Sequence, residues 1–261
     1  KGDTLASALI ANGIHLIGRS FKYHRPRGIM SCGSEEPNAI CQINDKSNLT
    51  EPNVRATEIE IYEGLEANSQ NCWPSVQFDI GGINNLISPF IPAGFYYKTF
   101  MWPKSFWKSV YEPLIRKSAG LGKSPIKPDP EIYDHKYIHC DVLVIGGGIS
   151  GIISAKLSAK NNLNTILIDD KKELGGSTIF QDNEIFKINS KISKDWLINE
   201  IDEIKKLKNL QIKTRTSVAA YHDYNYILAR ESLNDHLAKS EKNEFVRQRL
   251  WKIRAKKVII A

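Results

Sequence analysis

Hydrophobic and polar positions change their period three times along the chain. In "DTLASALIANG" the apolar positions recur at helical spacing, which predicts a short helix with Thr4 as its N-cap and Gly13 as its C′ stop. The alternation in "ATEIEIYEG" then predicts a strand. Between residues 66 and 137 the pattern fits neither period. The run "FIPAGFYYKTFMWPKSFWKSVYEP" is too apolar for a disordered linker, so it is expected to wrap over another surface. From residue 138 onward, strand and helix patterns alternate, as in the βαβ units of a parallel sheet. Three regions follow: 1–65, 66–137 and 138–261.

The third region carries the chemistry. "DVLVI" reads as a buried parallel strand, and Gly146, Gly148 and Gly151 come directly after it, where the helix pattern "ISGIISAKLSAK" opens. In a G-x-G-x-x-G turn the first glycine permits the tight bend and the second lets backbone approach a pyrophosphate. The third seats the helix close to the strand, and the free N–H groups and positive dipole end of the helix then face the phosphates. A second strand, "NTILIDD", ends in acid about 20 residues on, where Asp169 is placed to accept hydrogen bonds from an adenosine ribose and to repel a 2′-phosphate. NADP is therefore disfavoured, whereas FAD and NAD use the same turn and acid and are not separated by it. A second glycine pair, Gly175 and Gly176, follows in "KKELGGST".

Charge and cysteine content change this picture little. The net charge of +7 comes from scattered lysines, and the densest segment, "EIDEIKKLKNLQIK", reads as a solvated helix face leading into a strand, not as a nucleic-acid surface. No apolar run is long enough for a membrane span. The four cysteines form no CxxC and no regular framework, which points to reduced thiols and a cytoplasmic location. The first residue, Lys1, and the uncapped apolar ending "KKVIIA" suggest a piece of a longer chain. His15, His24, His135, His139, His222 and His236 lack a recognisable partner, so no catalytic residue is assigned. The basic run "KYHRPRG" groups Lys22, His24, Arg25 and Arg27, suited to a phosphate or an acidic surface or simply to a solvated turn.

The first region resembles the small ferredoxin-like (β-grasp) domain at the front of amine-oxidising flavoprotein complexes. A plant-type two-iron cluster needs thiolates spaced C-x4-C-x2-C plus a late fourth. Counting from Cys32 puts Pro37 and Ile40 at the second and third positions, and Thr57 stands at the late one in "NVRAT". A cluster is therefore not expected, nor zinc, and no metal site is assigned.

The third region likewise resembles the two-dinucleotide-binding flavoproteins, in which "RTSVAAYHDYNYILARE" would form a strand and hairpin beside the adenine. "GRSFKYHRPRGIMSCGSEEPNA", "PNVRATEIEIYEGLEANSQNCWPS", "SPFIPAGFYYKTFMWP", "YEPLIRKSAGLGKSP" and "HCDVLVIGGGISG" together resemble, in order and over the whole chain, the alpha subunits of the heterotetrameric sarcosine oxidases. The fold expected from this is α+β followed by α/β: a ferredoxin-like domain without its cluster, an irregular aromatic segment, and a partial Rossmann-like domain. The resemblance implies NAD in this chain, held through Gly146, Gly148, Ser150, Gly151, Asp169, Asp170, Lys171, Gly176 and Ser177, with Val218 offering backbone groups to adenine. Ser150 stands where Ala is common and Asp170 where Glu often follows the ribose acid. The resemblance further implies beta, gamma and delta subunits as partners, sarcosine as substrate, and FAD and FMN in the assembled complex. Tetrahydrofolate would bind a later part of the chain. Two other readings stand beside it: a subunit of a related FAD-dependent opine or amine dehydrogenase complex, and a structural subunit whose nucleotide is inert.

Overall fold

The computed structural model describes residues 2–44, 50–90, 94, 100–180, 187–188, 191–237 and 246–261. Much of the aromatic stretch, 91–93 and 95–99, lies outside the described residues. The chain divides into two compact units, one of residues 1–130 with 236–241, the other of 131–235 with 242–261.

The first unit opens with helix α1 (Leu5–Ala11), and the Thr4 hydroxyl accepts from the Ser7 N–H at 3.2 Å, as its N-cap pattern predicts. At the other end Gly13 lies at φ 72° and the Ile14 N–H returns to the Leu9 carbonyl, a Schellman closure. Strands β1 (Gly18–Arg19) and β2 (Pro26–Arg27) pair as a short ribbon. A three-stranded antiparallel sheet follows, with β3 (Ile40–Asn44) between β4 (Thr50–Arg55) and β5 (Glu66–Ser69). Its core joins Leu5 and Ala6 of the helix to Ile17, Ala39, Cys41, Ile43 and Ala56.

The strand expected at "ATEIEIYEG" is a correction: only Glu60 makes an isolated bridge, to Thr4, and the regular strand β4 ends at Arg55. The reason is local. The Ile59 and Ala56 carbonyls accept from the first N–H groups of α1, and Ile61 donates to Asp3, so these backbone groups cap a helix rather than extend a ladder. The region after β5 holds short turns and helices, among them α2 (Ile83–Leu86) and α3 (Glu112–Ser118). Part of it lies over the ferredoxin-like sheet, where the Gly122 N–H donates to the Asn53 side chain and the Lys123 N–H to that of Gln42.

The second unit is built on β6 (Tyr133–Ile145), helix α4 (Ile149–Lys160), β7 (Thr165–Ile168), the ribbon β8 (Lys187–Ile188) with β9 (Lys191–Ile192), helix α5 (Ser193–Lys205), β10 (Leu210–Lys213), β11 (Thr216–His222), β12 (Tyr226–Ser232) and β13 (Gln248–Ile260). Six strands form one mixed sheet in the order β10-β7-β6-β13-β12-β11, in which β10, β7, β6 and β13 run parallel. β7 is buried at every position, as a central parallel strand covered on both faces must be. On one face α4 and α5 bury Ile152, Ala155, Ala159, Trp196, Leu197 and Ile204 against Val142, Val144 and Leu167. On the other, Ile227, Ala229, Trp251 and Ile253 of β12 and β13 pack on Leu143, Ile166 and Ile168. These layers hold the carboxyl ends of β6 and β7 rigidly side by side.

Candidate dinucleotide site

At the carboxyl end of β6 the chain turns through three glycines, each meeting a different constraint. Gly146, at φ 105°, donates to the Ile168 carbonyl at 2.8 Å, and a Cβ there would come within 2.4 Å of the Ala261 carbonyl oxygen. A Cβ on Gly147 would meet the Leu174 side chain at 2.5 Å and the Asp169 carboxylate at 2.8 Å. Gly148 faces open space, with no protein atom within 4 Å of its would-be Cβ. Gly148 is also the N-cap of α4 and caps it with no side chain, which leaves the helix N-terminus open to an anion. Gly151 lies so near the turn that its Cβ would fall 1.8 Å from the Gly146 carbonyl oxygen.

Asp169 follows β7 and is only 8% exposed. One carboxylate oxygen accepts from the Gly147 N–H at 2.5 Å, the other from the Lys171 N–H at 2.8 Å. Burial pushes its carboxyl above the usual range, the two N–H donors pull the other way, and the neighbouring Asp170 adds to the rise. Each oxygen retains a lone pair for a ribose hydroxyl.

Two further segments close on this turn. The Gly175 N–H donates to the Gly147 carbonyl at 2.7 Å, and Gly176 sits so close that its Cβ would be 3.1 Å from the Gly148 Cα. Ser177 follows, exposed, at the start of a 3₁₀ turn. From the far side, the Thr216 N–H donates to the Asp169 carbonyl at 2.8 Å and ties β11 to the acid. The register of β11 against β12 slips between Val218 and Ala220, so the ladder breaks beside Val218. Ser150, in the first turn of α4, is exposed. The side chains of Asp170 and Lys171 pair with each other at 3.5 Å in an exposed position. Gly146, Gly148, Gly151, Asp169 and Gly176 are thus brought to one cradle, whereas the Asp170 and Lys171 side chains meet only on its rim.

Sequence reasoning overlooked Gly147, Leu174 and Thr216, and named Gly175 only as half of a glycine pair. The unbroken "GGG" was a usable signal for Gly147, because a G-x-G turn leaves its middle position free. The basic run is engaged inside its own unit. His24 Nδ1 lies 2.7 Å from the buried Asp79 carboxylate, Arg25 donates to the Asn85 side chain at 2.8 Å, and neighbouring Arg19 donates to the Val76 and Gln77 carbonyls. Burial would raise the Asp79 carboxyl, but the Trp73 N–H, His24 and the Gly81 N–H hold it below its ordinary value.

The family described as "2Fe-2S iron-sulfur cluster binding domain" matches residues 1–72, and "FAD dependent oxidoreductase" matches residues 141–248. The chain is 46% identical over all 261 residues to the sarcosine oxidase subunit alpha of Rhizobium meliloti (strain 1021), spanning 26% of that relative. It is 29% identical over 263 residues to the corresponding subunit of Corynebacterium sp. (strain U-96), again matching 100% of this chain and 22% of the relative. Among solved structures, L-proline dehydrogenase from P. horikoshii aligns over 100% of this chain and 37% of its own, with TM-score 0.58 and 18% identity, a likeness of fold. The chain thus spans about a quarter of the curated relatives it matches, and the resemblance read from its motifs holds along its full length.

The first family's cluster does not fit the residues present. The Thr57 hydroxyl donates to the Gly33 carbonyl at 2.6 Å, and Cys41 lies in the apolar core with its thiol pushed up to about 11 by burial. The open face of Gly148, the uncapped helix and the acceptors of Asp169 do fit a dinucleotide.

Proposed function

We propose that this chain, similar along its whole length to sarcosine oxidase alpha subunits, is the dinucleotide-holding part of such an oxidoreductase subunit. The observation that carries this is the buried Asp169 carboxylate, held by the Gly147 and Lys171 N–H groups beside the open face of Gly148. It supports an adenosine ribose with two free hydroxyls and disfavours a 2′-phosphate. We assign NAD to the cradle; a bound dinucleotide of this kind supplies a two-electron carrier. The chain's own residues do three things there. The N–H groups opening α4 would hold the pyrophosphate, Asp169 would orient the ribose, and the backbone of β11 at Val218 would meet the adenine. Ser150, Asp170, Lys171 and Ser177 line the rim.

The assembled activity, oxidation of sarcosine with oxygen to glycine and hydrogen peroxide, belongs in this proposal to the whole complex. Beta, gamma and delta subunits would complete it, with FAD in the beta subunit and FMN at the alpha–beta interface, and tetrahydrofolate would bind a later part of the alpha chain. No helix among the described residues is long and apolar enough to cross a membrane. A cytoplasmic complex is proposed.

The match to an FAD-dependent oxidoreductase family supports a second reading, in which FAD fills the same cradle in an opine or amine dehydrogenase complex. The test is to express the full-length subunit with its partners, denature it, and identify the released nucleotides by chromatography. NAD in step with the alpha chain is the expected result. FAD in its place would move the chain to the second reading, and no adenine nucleotide would overturn both.

A further inference from the structure

The loop of residues 30–39 matches a family named for an iron–sulfur cluster, yet the centre of that loop holds a side chain. Glu36 is 1% exposed. One carboxylate oxygen accepts from the Met30 and Ser31 N–H groups at 2.7 and 2.8 Å, the other from the Asn38 and Ala39 N–H groups at 2.7 and 3.1 Å. These four amides bracket position 32, where a cluster's first thiolate would stand, and lie on both sides of position 37, where its second would. Thr57, at the place of the late ligand, donates to the Gly33 carbonyl, and the Arg55 guanidinium donates to the Glu36 carbonyl at 3.0 Å. Loops that hold such clusters direct backbone N–H groups at the sulfurs. Here the same kind of donor array closes on a carboxylate.

We propose that the Glu36 carboxylate is the internal anion that replaces the cluster. It orders the loop and makes the first unit a redox-silent module that carries no electrons to or from the dinucleotide site. The proposal is independent of which dinucleotide that site takes. Burial alone would push the Glu36 carboxyl up, but the Ser31, Asn38, Met30 and Ala39 N–H groups outweigh it and hold the group below its ordinary value. The Arg55 guanidinium pairs with Glu58 and donates to the main-chain carbonyl of Glu36. A group lowered in this way supports the fold above its unfolded pKa, and the support disappears as pH falls through the folded one.

The experiment uses the full chain. Incubated anaerobically with ferrous iron, sulfide and thiol, then desalted, wild type is expected to retain no iron and no visible charge-transfer absorption. Hydrogen exchange is then compared with Glu36→Gln, whose amide –NH2 would face two N–H donors. Protection at Met30, Ser31, Asn38 and Ala39 is expected to fall at least about tenfold, because an unmet buried donor is costly. Glu36→Ala should lose the same protection and regain part of it in formate but not in formamide, which separates an anion requirement from packing. Should either variant fail to fold, the wild-type resonances of those four amides keep the test open, since they should move together with one midpoint below the ordinary glutamate value. A stoichiometric cluster, unchanged exchange in Glu36→Gln, equal rescue by formamide, or unlinked amide titrations would each overturn the proposal.

Discussion

Adjacent glycines in the turn do opposite work, and single substitutions separate them. A methyl at Gly147 would collide with Leu174 and Asp169, so Gly147→Ala is expected to destabilise the second unit by about 1–3 kcal/mol, seen as a lowered urea midpoint. Gly148→Ala meets no protein atom and should leave that midpoint unchanged while weakening dinucleotide binding by calorimetry. Asp169→Ala removes the charged ribose acceptor and should weaken binding at least roughly 10- to 100-fold, the equivalent of one hydrogen bond to a charged group at about 1.5–3 kcal/mol. Because burial raises the Asp169 carboxyl and only its ionised form accepts at both oxygens, affinity should fall with acid, beginning above the ordinary aspartate value of about 3.9. The motif spacing made Asp169 and three of the glycines legible in sequence. Leu174 was not, and Gly147 was marked only by the unbroken run of glycines, because what requires them is a contact between residues far apart along the chain.

Helices and parallel strands of the second unit were legible because their apolar runs carry their own period. The helix pattern at Ile149–Lys160 and the buried run of β7 match the elements formed. Both helices pack on the sheet through apolar side chains, but the contacts between them differ in weight. Ile204 of α5 is fully buried, and Ile204→Ala should cost about 2–5 kcal/mol in chemical denaturation. Lys156 of α4, whose partly buried ammonium meets Glu200 at 2.5 Å and the more exposed Glu203 at 2.8 Å, should cost less than that, about 1 kcal/mol, when changed to alanine. The alternation in "ATEIEIYEG" misled for a physical reason. Period two says that a segment is half buried, not that its backbone groups have a strand to pair with, and here they serve the start of α1. Likewise β6 starts at Tyr133, upstream of its apolar run, because β13 supplies a partner that local pattern does not reveal.

Over the whole molecule, two units with separate cores should respond separately to ligand. With dinucleotide at 100 times its Kd, protection from hydrogen exchange should rise by up to about 2.7 kcal/mol in the core strands β6, β7 and β13, with no change in β3 and β4. Equal gains in both units would place the ligand elsewhere. The first unit leaves large apolar side chains in solvent, Trp73, Phe78, Leu86 and Trp102 among them, in keeping with a chain that spans a quarter of its relatives' length. What the sequence determined by itself was local and periodic: the α+β then α/β order, the G-x-G-x-x-G turn with its acid, and the absence of thiolates at 37, 40 and 57. Only tertiary structure decided which groups converge. Thr216 on Asp169 and Gly175 on Gly147 are contacts between main-chain atoms, and the four donors on the Glu36 carboxylate are main-chain N–H groups, which every residue type but proline carries, so no residue pattern announces them.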